Sequence, residues 1–286
     1  MNRKQLYDIC AEKLKASENE DYEFDTLCIL QDILHDKYPM FKPNEEVDSD
    51  AEKTVLELAE RRSKGYPVQY LLGEWEFYGY PFRLDENVLI PRPDTETLIE
   101  NVKEICRRSG LKSPKIADLG SGSGCIAITL KKEIPSADVW AVELSDGALG
   151  IIKENAALND ADIHIIKGDV LKKETADKFS GFDIIVSNPP YVTAKEMAEL
   201  QREVRYEPEM ALYGGEDGLD FYRTMTAVWR DSLAGNGWLL YEYGDGQHSD
   251  VEKILIENNF DNITMTRDLA GIYRTVSAQK TEVQNG

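Results

Sequence analysis

The sequence predicts a doubly wound α/β domain preceded by a small helical domain, and three observations lead there. From about residue 114, short apolar runs recur, separated by stretches long enough for helices. The first 75 residues instead carry apolar residues at helical spacing, with no strand-like alternation. Between these regions, residues 74–91 are rich in aromatic and β-branched residues around a turn at Gly79, Tyr80 and Pro81, the signature of a β-hairpin.

In residues 2–17, Leu6, Ile9, Cys10 and Leu14 fall on one helical face. Asp21 is placed to cap a second helix containing Phe24, Leu27, Cys28 and Leu34. Two prolines in residues 38–43 end it. A third helix starts at 48–50, buries Val55, Leu56 and Ala59, and stops at Gly65.

In the second half, KIADLG, DVWAVEL, IHIIKGD, FDIIVSN and GWLLYEYG read as five strands. The run Ile184, Ile185 and Val186 is apolar on successive residues, as a parallel strand buried on both faces requires. In residues 218–233, Leu219, Tyr222, Met225, Trp229 and Leu233 share a helical face that ends at Gly235. ITMTRDL and YRTVSAQ form a terminal hairpin. The expected organisation is a helical bundle over 1–73, a hairpin linker over 74–91, an α/β domain over 92–280 and a frayed tail over 281–286.

Composition narrows the function. The chain has 286 residues and a formal charge of −20, from 33 Lys+Arg and 53 Asp+Glu. The acid excess is not a tail, since residues 1–75 alone hold 10 basic and 17 acidic side chains. A protein that grips nucleic acid through phosphates needs a basic face, so no stable nucleic-acid partner is expected and a basic protein partner fits better. No run approaches the roughly 20 apolar residues of a membrane span. Charges at Arg3, Lys4 and Asp8 interrupt any signal-peptide core, so a cytoplasmic protein without membrane association is expected. Cys10, Cys28, Cys106 and Cys125 are scattered without a CxxC pair, which argues for small core residues rather than disulfides or zinc ligands.

The chemistry begins at the end of the first strand of the α/β domain, with Asp118, Leu119, Gly120, Ser121, Gly122, Ser123 and Gly124. Glycines let this loop turn sharply and approach a ligand, and the following helix offers free N–H groups. The GxGxG spacing is neither the dinucleotide GxGxxG nor a P-loop. The second strand ends in Glu143, 23 residues beyond Gly120, where a carboxylate can accept both hydroxyls of a ribose. Asp169, after Gly168 at the end of the third strand, is placed to receive an adenine amino group. Three such groups at adjacent strand ends describe a nucleoside site in the crevice of an open sheet.

The fourth strand stops in Asn188, Pro189, Pro190 and Tyr191. Two prolines make a rigid turn and remove two donors. The Asn188 side-chain oxygen and the Pro189 carbonyl are then free to accept both N–H bonds of a planar amino group, with the Tyr191 ring packed on its face. His35, His164 and His248 lie elsewhere in the sequence, so no base is evident beside the tetrapeptide.

DLGSGSG, AVEL, GDV and SNPPY together resemble the class I S-adenosylmethionine-dependent methyltransferases that alkylate planar amino nitrogens. That group includes adenine-N6 DNA methyltransferases and glutamine-N5 protein methyltransferases, and the tetrapeptide does not choose between them. Other segments do. PVQYLLG at 67–73, FYG at 77–79, LIPRPDTE at 89–96, YEP at 206–208 with Ala211 and Leu212, and GEDGLD at 215–220 are similar to the peptide chain release factor glutamine methyltransferases. Glu242, Gly244 and Gln247, then Asp268, Leu269, Gly271 and Arg274, continue the match over nearly the whole chain. One departure is Glu143, where that family often has Asp.

The resemblance implies a Rossmann-like class I sheet that uses S-adenosyl-L-methionine as cofactor. It implies methyl transfer to the glutamine N5 of the Gly-Gly-Gln tripeptide of release factors. It assigns Asp118, Gly120, Ser121, Gly122, Ser123, Gly124, Glu143, Asp169, Val170 and Asn188 to the cofactor, and Asn188, Pro189, Pro190 and Tyr191 to catalysis. The N-terminal bundle is expected to dock the protein substrate. A glutamine methyltransferase of a ribosomal protein would share these residues. A DNA adenine methyltransferase would add a basic target-recognition region, and a non-catalytic cofactor-binding adaptor would not need the tetrapeptide intact.

Overall fold

The structure is a computed structural model and describes residues 1–268 and 270–281. Leu269 and residues 282–286 of the expected tail lie outside the described residues. The chain divides into two compact units, Met1–Trp75 with Gln201–Tyr206, and Glu76–Leu200 with Glu207–Gly286.

The first unit is built on α1 (Arg3–Ala16), α2 (Tyr22–Leu34), α3 (Ser49–Ser63) and the short α4 (Val68–Leu72). Asn2 and Gln5 close a capping box on α1, so two end donors are satisfied reciprocally. Leu6, Cys10, Ile29, Leu30, Val55, Ala59 and Val68 form one buried core. Two expectations fail here. Asp21 makes no side-chain capping bond, and Phe24 is exposed while Asp25 is buried. An ion pair holds Asp25 inside: Arg62 Nε donates to Asp25 Oδ2 at 2.5 Å, with both residues buried. The inner face of α2 is Asp25, Thr26, Ile29 and Leu30. Residues 201–206, expected in the α/β domain, belong to this unit, where the Tyr66 and Tyr206 rings meet edge to face at 5.1 Å.

Strands β1 (Glu74–Phe77) and β2 (Tyr80–Arg83) form the hairpin. The second unit carries a seven-stranded sheet of β3 (Lys115–Leu119), β4 (Asp138–Glu143), β5 (His164–Lys167), β6 (Phe182–Ser187), β7 (Leu233–Glu242), β8 (Phe260–Arg267) and β9 (Tyr273–Lys280). Their order is β5-β4-β3-β6-β7-β9-β8, parallel from β5 through β7, with β9 antiparallel to both of its neighbours. Chain order reverses between β3 and β6, so the ligand crevice of a doubly wound sheet lies above their C-terminal ends.

Helices α5 (Glu96–Ser109), α6 (Cys125–Glu133), α7 (Asp146–Leu158), α8 (Lys173–Ala176), α9 (Ala194–Glu199), α10 (Asp220–Trp229) and α11 (His248–Glu257) fill the connections. Leu233, expected at the end of a helix, is instead the first residue of β7. A 3₁₀ turn at Arg230–Ser232 separates it from α10. Trp229 is fully buried on α10, and its indole N–H donates to the Val170 carbonyl at 2.8 Å, tying α10 to the chain that follows β5.

Candidate active site

A cavity of about 530 Å³ opens at the C-terminal ends of β3, β4 and β6, the size of a ligand pocket. Its floor is the glycine loop. Gly120 and Gly122 have φ of +71° and +54°, a conformation that L side chains rarely adopt, and a Cβ at either would meet nothing. The loop therefore leaves an open cradle of backbone at the mouth of β3.

Glu143 pins that loop. Its Oε2 accepts from the Gly122 N–H at 2.9 Å, while Oε1 accepts from Leu144 and Ser145 N–H at 2.7 and 2.8 Å. A carboxylate oxygen takes two hydrogen bonds, so Oε1 is filled and Oε2 keeps one acceptor site for a ribose hydroxyl. Asp169 lines the same cavity and holds its own turn through Leu171 N–H at 2.9 Å. Apolar walls come from Ile126, Leu144, Val170 and Leu171. A carboxylate for a ribose, flat apolar walls for a base and an open glycine cradle match an adenosyl group carrying a short chain, so S-adenosylmethionine fits the residues present.

Asp118 stands beneath the loop instead of facing the cavity. It is fully buried, its Oδ2 accepts from Ala127 N–H at 3.2 Å at the start of α6, and its Oδ1 has no partner among the described residues. Burial pushes its carboxyl up to about 7, against the Ala127 N–H and the nearby Ser121, whose hydroxyl donates to the Asp118 backbone carbonyl at 2.9 Å. Gly124 caps α6 at φ +80°, where a Cβ would press on Ile128 and Ile152 at 3.1 and 3.2 Å.

The tetrapeptide closes the far side. Asn188 and Pro190 line the cavity, and Asn188 Nδ2 donates to Thr95 Oγ1 at 3.2 Å. The Asn188 oxygen is thereby left to the cavity. Pro189 and Tyr191 are not among the lining residues. The expected stacking place of Tyr191 is therefore displaced. Val192 N–H bonds to the Leu212 carbonyl at 2.8 Å, which draws the chain inward, and the Tyr191 ring packs against the core. Burial pushes its phenol up to about 12.

Three comparisons bear on this site. Residues 93–208 match the Methyltransferase small domain family, and residues 5–73 match the PrmC N-terminal domain family. A release factor glutamine methyltransferase of Flavobacterium psychrophilum is 43% identical over 79% of this chain and 78% of its own length. Another, of Koribacter versatilis, is 37% identical over 98% of this chain and 99% of its own. The chain belongs to the release factor glutamine methyltransferase family. Among solved structures, the ribosomal protein L11 methylase of Lactobacillus delbrueckii subsp. bulgaricus matches with a TM-score of 0.50 at 25% identity, over 70% of this chain and 86% of that one. As a methyltransferase of this family the protein takes its methyl group from S-adenosylmethionine.

In this release factor glutamine methyltransferase two walls of the cavity were missed by reasoning from residue chemistry. One is the segment holding Val88, Leu89, Pro91 and Arg92, and the other holds Pro208, Glu209, Met210 and Ala211. Buried Glu207 joins them: it accepts from Ile90 N–H at 3.1 Å and pairs with the Arg92 guanidinium. Burial raises the Glu207 carboxyl, and Arg92 opposes the rise. The signal was the pair of segments PRP and YEP, which carry opposite charges and lie far apart in sequence. Thr95 was missed as well, because a lone threonine after PRPD has no chemistry until the fold places it under Asn188.

Proposed function

We propose that the protein transfers the methyl group of S-adenosylmethionine to the side-chain amide nitrogen of the glutamine in the Gly-Gly-Gln motif of peptide chain release factors. The observation that carries this reading is that one cavity holds both the Glu143 and glycine-loop half and the Asn188 amide acceptor. Two relatives that match over most of the chain carry the release factor name, which supports the choice of protein substrate.

An amide nitrogen is a poor nucleophile because its lone pair is delocalised into the carbonyl. When bound, S-adenosylmethionine supplies a methyl on a cationic sulfur that departs with the bonding pair. Glu143 would hold the ribose, Asp169 would receive the adenine amino group, and Gly120, Ser121, Gly122 and Ser123 would flank the rest of the cofactor. Asn188 Oδ1 in the cavity wall accepts one N–H bond, and the Pro189 carbonyl, in the same turn just outside the lining residues, takes the second once the glutamine is seated. Together they raise electron density on nitrogen and aim its lone pair. Pro190 rigidifies that turn, and Tyr191 supports it from behind. During or after transfer, the methylated nitrogen gives one proton to water and the neutral secondary amide is left. Catalysis here is orientation and electrostatics. Residues 1–73 dock the protein substrate, since a tripeptide loop buries too little surface to select one protein. An acidic chain serves this protein substrate better than nucleic acid, and the cytoplasm, where translation factors act, is the matching compartment.

The test is methyl transfer from labelled cofactor to a purified release factor. Label on the wild-type factor and none on its Gly-Gly-Gln glutamine-to-alanine variant supports the reading. Equal label on both, or label only on ribosomal proteins or DNA, overturns it.

A further inference from the structure

Glu242 ends β7 and is 1% exposed, yet no step above uses it. The pairing of Tyr241 with Ser187 in register puts it beside Asn188, the residue after the end of β6. Its Oε2 has no hydrogen-bond partner among the described residues. Thr95 and Asn188 stand beside the carboxylate and favour its charged form, and Arg274 and Asp94 set the nearby charge. Burial still pushes it up to about 7. A buried carboxylate with an unmatched oxygen is costly, so its retention behind a working residue calls for a reason.

The reason lies in the direction of the hydrogen bonds. The amide of Asn188 can present either its oxygen or its NH2 to the cavity, and the two faces are nearly the same shape. Asn188 Nδ2 donates to Thr95 Oγ1 at 3.2 Å, and Thr95 has one proton of its own to give. An ionised carboxylate only accepts, so it takes that proton and leaves Thr95 Oγ1 as the acceptor for Asn188.

We infer that Glu242 is a positioning residue: as the acceptor end of the chain from Asn188 through Thr95, it fixes the Asn188 amide with Oδ1 toward the target glutamine. An amide in place of Glu242 can donate as well as accept, so the chain can reverse, Asn188 turns its NH2 to the cavity, and the target amide meets a donor instead of an acceptor. The inference rests on the reading of Asn188 as the acceptor of the target amide.

The test uses the full-length enzyme with intact release factor at about pH 8, where the carboxylate is ionised. Glu242→Gln keeps the shape and removes only the acceptor polarity. It is expected to lower kcat about tenfold or more, with cofactor Kd and the KM for release factor held within about twofold. Thr95→Val, which breaks the chain at its middle, is expected to do the same and stands in should Glu242→Gln fail to fold. Combined with Asn188→Ala, either change should add less than about twofold to the loss, because the residue it positions is gone. Wild-type kcat in both variants, or losses that multiply with Asn188→Ala, overturn the inference. Wild-type kcat in Asn188→Ala alone is a different failure: it removes Asn188 from the amide site and the role of Glu242 with it.

Discussion

Replacing Asn188 with alanine removes one of two acceptors for the target amide while leaving the cofactor half of the cavity intact. The expected cost is about 1–3 kcal/mol of transition-state stabilisation, roughly 10- to 100-fold in kcat. Cofactor affinity by calorimetry should stay near wild type, and unchanged kcat/KM would contradict the assignment. Glu143→Ala acts on the other half. It deletes the charge-assisted acceptor of a ribose and also frees the Gly122, Leu144 and Ser145 N–H groups. Cofactor binding should weaken by about 1.5–3 kcal/mol. A calorimetric titration with wild-type affinity would exclude Glu143 from the cofactor site. At this scale the sequence was legible where chemistry is carried by residue type: a glycine cluster, a strand-end carboxylate, a proline turn. It was not legible for Glu242, Thr95 and Glu207, whose importance comes from what the fold sets beside them.

Strand ends of the parallel sheet bury two carboxylates, Asp118 and Glu242, both pushed up by burial to about 7 from ordinary values of 3.8 and 4.5. These two groups therefore hold more protons in the folded protein than in the unfolded chain between about pH 4 and 7. Stability from these groups is full below that window and is lost as pH rises through it. Glu242→Gln should thus stabilise the enzyme at about pH 8 by up to roughly 3 kcal/mol, with the gain vanishing near pH 4. Denaturant melts at both pH values check this, and a gain that grows on acidification would contradict it. In the helical unit the opposite outcome is expected of Arg62→Ala, which strands Asp25 inside without its partner and should cost about 3–5 kcal/mol of that unit's stability. Helix α2 itself was legible in the sequence, but the burial of Asp25 was not, since an apolar-spacing argument gives no weight to a buried charge. Helix α5 is a different case. Leu98, Ile99, Val102, Ile105 and Cys106 are buried at ordinary helical spacing, yet the sequence reading named no helix there.

For the whole molecule, the arrangement of five parallel strands followed by an antiparallel hairpin was legible because strands buried on both faces show continuous apolar runs. The return of residues 201–206 to the first unit was not, because a short polar segment has no periodicity to declare its neighbours. In that first unit Tyr38 and Phe41 stack at 5.1 Å with Phe41 81% exposed, an apolar feature that offers itself to a protein partner. If the unit docks release factor, Phe41→Ala should raise KM for the intact factor several-fold and leave activity on a short Gly-Gly-Gln peptide unchanged. An equal loss on both substrates would point to a stability defect instead. The proposed reaction delivers a methyl group from one cavity to one amide nitrogen. Fragmentation mass spectrometry of release factor after turnover tests it most directly: a single methyl on the side-chain nitrogen of the Gly-Gly-Gln glutamine is the predicted result, and a methyl on any other residue, or none with wild-type enzyme, contradicts it.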